Sequence, residues 1–402
     1  MNSEISYRLL AVLLAALSAL GPFSIDTYLP SFLEIGAKLQ ASPWEVQQTL
    51  TAYMLPFTVM TLWHGAISDA YGRRRMILGA MVLFALASLG CALANSIQML
   101  WLMRALQGVT AGAGLVVGRA VVRDVYQGPE AQRLMAHVAI MFALAPAVAP
   151  ILGGWLHTWF GWRSVFLFMA FSALSLFVAC RALLPETLPP AARQPLNAPY
   201  LLGAYKGVMS SLPFQAACLA VSCNFLGFFI YVTSAPVFLI RHLGVSETGF
   251  FWLFGPAMAG MMCGAWLSGR LAGRCSAPRL LLLAYALMGL GVAVDLGVSF
   301  LRPPGLPWSV IHLFIYNLGM ALSMPTLTLL ALDRFPLQRG LAASCQAFLQ
   351  SGVNTLAAAA LVPLLWGSVG HLALGTLAMW SLGGLFSYGF FRLSLPRLPQ
   401  RE

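Results

Sequence analysis

"PETLPPAARQPLNAPYLLGAYKG", residues 185–207, divides this chain in two. Five prolines and scattered basic residues interrupt any helical run here. On either side the chain is almost continuously apolar, and a helix that crosses a bilayer needs about 20 such residues. By that ruler six candidate spans precede the proline-rich stretch, from roughly residue 8 to 184, and six follow it, from roughly 212 to 391. The expected fold is all-α and polytopic: twelve transmembrane helices in two six-helix pseudo-repeat bundles, residues 1–190 and 212–402. A cytoplasmic interdomain linker over 191–211 joins them.

Composition agrees with that class. Of 402 residues 59% are hydrophobic and only 9% are charged, against about 25% charged in a soluble domain. The net charge of +11 raises the question of a nucleic-acid partner, and its placement answers it. With a cytoplasmic N-terminus, 18 of the 23 Lys and Arg residues fall at cytoplasmic ends, among them Arg73, Arg74, Arg75, Arg123, Arg274, Arg397 and Arg401. Lys38, Arg163, Arg241 and Arg302 face the other side, and Arg104 lies within a span. This is the positive-inside pattern with both termini cytoplasmic, and it argues orientation, with no nucleic-acid partner. Seven cysteines without CxxC spacing, and six scattered histidines, point to neither a disulfide framework nor a metal site. No Walker loop or Ser/His/Asp order appears, so neither an enzyme nor a nucleotide-driven machine is expected. No cofactor is needed if an ion gradient supplies the energy.

The halves resemble one another. "GAISDAYGRRR" (65–75) follows the second span, and "GAWLSGRLAGR" (264–274) holds the equivalent place in the second half, with Ser268 where the first has Asp69. Paired six-helix halves are an architecture of transporters, with the binding site between them at mid-depth. Small residues at four-residue spacing (Gly108, Gly112, Gly114 and Gly118, then Ala145, Ala149 and Gly153) suit close helix packing. Pro146 and Pro150 interrupt the fifth span one turn apart.

Two charges stand inside the first bundle. Asp26, in "FSIDTYLPSF" (23–32), sits near the outer end of the first span. Arg104 enters the fourth span about 9 Å below the outer surface, at about 1.5 Å per residue. They share one half of the membrane, so they can pair. Intramembrane charges pair or line a wet cavity and mark ion pathways. Desolvation and a neighbouring guanidinium pull a carboxyl's proton affinity in opposite directions. Asp26 is therefore either a proton carrier or half of a static salt bridge between two helices. Asp295, near the outer end of the ninth span, reads as interfacial. With Asp26 as the one membrane acid, a single proton per cycle is expected.

These motifs, taken in order, resemble the major facilitator superfamily, and within it the bicyclomycin-resistance/CflA group of drug:proton antiporters. "IDTYLP" (25–30), "GAISDAYGRRR" (65–75), "RALQGVTAGAG" (104–114), "GRAVVRDVY" (118–126), "APAVAPILGG" (145–154) and "GWRSVF" (161–166) carry the likeness, which covers essentially the whole length. It implies that Asp26 is the proton-linked acid, that Arg104 tunes it, and that Gln107 lines the cavity. It further implies that Asp69 with Arg73 forms an inner-face latch, although Asp69 also reads as a solvated loop acid. Pro146, Pro150, Gly153 and Gly154 would form the antiporter motif, on which export rather than import rests. The second-half loop lacks its acid, so a latch there would be weaker or absent.

Polar and aromatic positions within spans are the candidate substrate contacts. Gln346, Gln350 and Asn354 make a stripe at four-residue spacing, serving either helix–helix hydrogen bonds or a wet cavity. Asn224 and Tyr231, Tyr316 and Asn317, and Tyr28 and Tyr53 complete the set. Few charges among flexible apolar walls favour small amphiphilic, neutral or weakly charged substrates. The expectation is a monomeric, multi-pass proton-coupled multidrug exporter of the bacterial inner membrane, with protons and lipid as its other partners. The rival is an exporter of the same fold dedicated to an endogenous siderophore, peptide or amino acid.

Overall fold

The computed structural model describes residues 7–126, 128–271, 274–336 and 338–394, with backbone only at several positions within 128–144. Arg397, Arg401 and the first six residues lie outside these. Among the described residues the chain is helical, without strands. In order the helices are α1 (Tyr7–Asp26), α2 (Phe32–Leu39), α3 (Pro43–Tyr71), α4 (Arg73–Ala92), α5 (Ile97–Ala111), α6 (Ala113–Val125), α7 (Gly128–Phe160) and α8 (Trp162–Leu183). They continue as α9 (Ala198–Met209), α10 (Leu212–Thr233), α11 (Phe251–Leu271), α12 (Ala277–Leu301), α13 (Trp308–Leu332), α14 (Arg339–Leu356), α15 (Val362–Leu364) and α16 (Val369–Ser394). Taking α1 with α2, α5 with α6 and α14 with α15 as single runs, and leaving aside the short α9, twelve long runs result among the described residues. Nine of these are long and apolar enough to cross a membrane by length and composition.

Local chemistry sets the ends that matter. α3 starts at a capping box: Glu45 N–H donates to Ser42 Oγ while the Glu45 carboxylate accepts from the Ser42 N–H at 2.8 Å. α1 stops at Asp26, earlier than the expected span end near residue 30, and the chain passes through a 3-10 turn at Leu29–Ser31. Pro30 accounts for this, because it has no N–H to donate and disfavours helix at the residue before it. The acid therefore sits at a helix terminus. α7 stays helical through both Pro146 and Pro150. Wider π-type turns at Pro236–His242 and Ala357–Leu361 extend the seventh and eleventh runs.

Backbone contacts group the residues into two compact units. One holds residues 1–196 with 239–241 and 245–254; the other holds the remainder. In the first, α1 packs on α7, α3 on α5, and α4 on α5 and α8. In the second, α10 packs on α13 and α16, and α12 on α13. The end of the second unit that holds the start of α10 and the end of α16 is filled by Phe214, Cys218, Ala331, Cys345 and Phe390. All seven cysteines are free thiols.

Between α3 and α4 the turn depends on Gly72, whose φ of 102° lies where only glycine is comfortable. A Cβ there would also meet the Glu186 carboxyl carbon at 3.0 Å and an Arg193 guanidinium nitrogen at 3.1 Å. Gly72→Ala is expected to cost more than about 1 kcal/mol. It should lower the thermal midpoint of the detergent-solubilised protein, followed by tryptophan fluorescence. An unchanged midpoint would show that this turn is not fixed by the glycine.

Candidate functional site

The first unit is organised around Arg104, which is fully buried on α5. Its Nη1 donates to the Ser24 carbonyl oxygen at 3.1 Å and to Gln107 Oε1, one turn along, at 2.9 Å. The Gln107 amide donates to Ser88 Oγ on α4 at 2.7 Å, which ties α1, α5 and α4 together. The guanidinium carbon lies 4.4 Å from the Tyr53 ring centroid, 4.8 Å from Tyr28 and 6.0 Å from Phe166. Aromatic faces attract a cation with about 0.5–2 kcal/mol each, most strongly where water is excluded. Tyr28 is pinned by a short hydrogen bond to Thr49, and the Tyr53 hydroxyl donates to the Gly21 carbonyl oxygen at 3.0 Å. Tyr28, Tyr53 and Gln107 are thus an aromatic and amide cage for the arginine, all completely buried. Two of its donors, Nε and Nη2, have no hydrogen-bond partner.

Asp26 is 5% exposed. The expected pair with Arg104 is not formed: no ion pair joins them, and the guanidinium turns to the Ser24 carbonyl and the aromatic rings instead. The physical reason is local. α1 ends at Asp26, so the carbonyl of Ser24 is among those freed at the terminus and competes for the arginine. The same terminus is the negative end of the helix dipole, the wrong end for an anion. α7 holds this corner in place. At Gly153 its backbone presses so closely on Thr27 that a Cβ would come within 2.7 Å of the Thr27 carbonyl carbon. Gly154 faces the backbone of Glu247 and Thr248 in the same unit, Pro150 is buried and Pro146 partly buried.

At the other end of the bundle, Arg73 gathers acids from three segments. It pairs with Asp69 one turn back, its Nε donates to Asp124 Oδ2 on α6 at 3.1 Å, and its Nη1 donates to Ser68 Oγ at 2.6 Å. The Arg73 backbone N–H, first of α4, donates to Glu186 Oε1 at 2.9 Å, so a carboxylate caps that helix. Thr187 donates to Asp124 at 2.9 Å, and Gln194 N–H to the Asp69 carbonyl oxygen at 3.2 Å. Sequence reasoning selected Asp69 and Arg73 but not Asp124 or Glu186. The signal for Asp124 was its place at the end of "GRAVVRD", level with the basic loop.

The second unit brings some candidates together and separates others. Asn224 donates to the Tyr285 hydroxyl at 3.1 Å and to Ser323 Oγ at 3.3 Å, while the Tyr316 hydroxyl donates to the Asn224 carbonyl oxygen at 2.9 Å. Asn317 donates to the Leu313 carbonyl oxygen on its own helix, and Gln346 donates to Thr328 Oγ1 at 2.8 Å. Asn354 is buried with its side-chain Oδ1 unpartnered, and Gln350 is partly buried. Tyr231 belongs elsewhere: its hydroxyl lies 2.9 and 2.8 Å from the two carboxyl oxygens of Asp295. Asp295 is 2% exposed, so the expectation that it is interfacial is wrong, as is the premise of a single membrane acid. The missed signal was depth. Tyr231 lies near the end of α10, Asp295 near the end of α12 and His312 near the start of α13, and so at one level.

A sequence profile of the Major Facilitator Superfamily matches residues 11–358. The chain is 35% identical over 362 residues to YdgK of Bacillus subtilis, an uncharacterised MFS-type transporter, covering 90% of this chain and 87% of that one. It is 30% identical over 287 residues to the bicyclomycin resistance protein homolog of Haemophilus influenzae, covering 71% and 72% respectively. Among solved structures, the nucleoside transporter NupG superposes with a TM-score of 0.71 over 97% of this chain and all of the other. At 12% identity that likeness speaks for the fold alone.

The aromatic cage is separable by mutation. Tyr53→Phe keeps the ring under Arg104 and loses the hydroxyl, for about 0.5–1.5 kcal/mol. Tyr53→Leu also removes the ring face, for about 0.5–2 kcal/mol more. Thermal midpoints in detergent should fall in that order, and equal midpoints for the two variants would mean that the ring gives the cation no support.

Proposed function

Because this chain belongs to the Major Facilitator Superfamily, we propose that it is a proton-coupled multidrug antiporter. In this reading it exports small amphiphilic, neutral or weakly charged compounds across the bacterial inner membrane by alternating access. The observation that carries the reading is an unmatched pair. Asp26 is a buried carboxyl with no cation on it, while Arg104, in the same unit, keeps two donors unpaired. A charge left alone in a low-dielectric interior is costly, so the two groups have reason to exchange partners as the proton comes and goes. In this reading neutral Asp26 leaves Arg104 to the contacts it makes with Ser24 and the tyrosines. Ionised Asp26 competes for the free Nε and Nη2 donors and draws the end of α1 toward α5.

A ligand shifts a conformational equilibrium only by its differential affinity for the two states. For antiport, proton and drug must therefore favour opposite arrangements of this corner. The Asp69–Arg73–Asp124 cluster serves as the inner-face latch, since one guanidinium holds acids from α3 and α6 at once. Asn224, Tyr231, Tyr316, Asn317, Gln346, Gln350 and Asn354 supply the polar groups of the second half, and both termini lie in the cytoplasm. A relative named for bicyclomycin resistance makes that compound the first substrate to try.

In everted vesicles that are acidic inside, adding bicyclomycin should release protons and dissipate the pH difference. Asp26→Asn should abolish the response, and Asp26→Glu should retain much of it. If the asparagine variant still accumulates the compound at full rate under a pH difference alone, Asp26 is not the coupling acid.

A further inference from the structure

The second unit buries a titratable group that antiport at Asp26 does not use. Asp295 on α12 accepts from the Tyr231 hydroxyl of α10 at both carboxyl oxygens and from Ser299 Oγ, one turn along its own helix, at 3.3 Å. His312 on α13 brings its Nδ1 to 3.6 Å from Asp295 Oδ1, too far for a hydrogen bond and close enough for an ion pair. His312 is 2% exposed, lies tilted against the Tyr231 ring at a centroid distance of 4.7 Å, and has no hydrogen-bond partner at either ring nitrogen. The groups that act electrostatically on this trio are its own members and Ser299; Arg302, seven residues beyond Asp295, is exposed and makes no ion pair with it.

A buried imidazole with two idle nitrogens beside a buried carboxyl is not a packing solution. Apolar residues of the same volume would fill the space without leaving polar atoms unpaired. Its chemistry suits one small ligand. With no proton shared between them the pair carries one negative charge; with one proton it is neutral, whichever member holds it. Tyr231 and Ser299 supply donors to the carboxyl in either case. A proton suits the geometry, and among the described residues no group of three or more His, Cys, Asp or Glu side chains is placed to hold a metal ion.

We propose that Asp295 and His312 together form a second proton-binding site, held in the second unit and independent of Asp26, so that the chain loads two protons. The step is a single uptake: one proton leaves water and is held between carboxylate and imidazole, and the charge of the pair rises from minus one to zero. The proposal rests on the antiport reading for its purpose. Its test does not depend on transport.

The test uses the full chain purified in detergent and infrared difference spectra recorded on stepping the pH. The carboxylate and imidazolium bands report where protons bind. Of the transitions of the chain's 12 Asp and Glu residues, Asp26→Asn should remove one, and on that background Asp295→Asn should remove a further one, the remaining transition at issue. On the Asp26→Asn background, His312→Gln and Tyr231→Phe should each move the midpoint of the remaining transition, by about tenfold in proton affinity, one pKa unit. If Asp295→Asn fails to fold, those two single changes carry the test. Absence of any transition that Asp295→Asn removes, or a midpoint indifferent to both changes, would make Asp295 a structural acceptor and overturn the proposal. A midpoint that shifts with sodium chloride but not with choline chloride would assign the site to a metal cation, with the same result. Loss of drug-driven proton release with this transition intact would strike the antiport reading alone.

Discussion

Arg104 brings a permanent charge to a place without water, and much of the first unit is arranged to tolerate it. A guanidinium has five N–H donors in a planar fork and cannot discharge itself. Three kinds of partner stabilise it here. They are a carbonyl released by the end of α1, an amide from its own helix, and the faces of two tyrosines that are themselves anchored. These partners come from several segments, so the arginine is also what registers α1, α3 and α5 against one another. Two donors remain uncommitted, and that leaves the cluster able to change partners without being rebuilt.

The two units solve the same problem by different means. In the first, acid and base form no ion pair, and the acid stands at a helix terminus. In the second, acid and base are adjacent on neighbouring helices, with a tyrosine closing the carboxyl. The two also differ at their loops. Arg73 holds Asp69 and Asp124 together, whereas the repeat in the second half has Ser268 in place of the acid, and its Arg270 lies over the Trp266 ring instead. The halves share a plan of helices but not a distribution of charge, as a machine that must bias its two faces differently requires.

Much of the fold was legible because hydrophobic length and proline placement leave few alternatives. The stretch at 185–207 and the small-residue spacing of the fourth and fifth spans carry direct geometric meaning. Residues whose role depends on who stands opposite were harder to read. Asp26 and Arg104 read as level with each other, yet depth alone does not show that α1 ends at the acid and frees a carbonyl that takes the guanidinium instead. Asp295 misleads because closeness to a helix end is not the same as exposure. The tenth run covers it, and only the pairing of α12 with α13 reveals that. Glu186 escapes notice since its partner is a backbone N–H, which leaves no trace in the pattern of side chains.

At the Thr27 corner the fifth run touches main chain with main chain. Nothing about the side chain at position 27 enters that fit, whereas position 153 tolerates no substituent at all. Position 27 is itself fully buried, so its side chain is limited by the packing around it, and position 153 by the main chain opposite. A substituent at 153 therefore pries the corner open, whereas a change at 27 disturbs only what surrounds its own side chain.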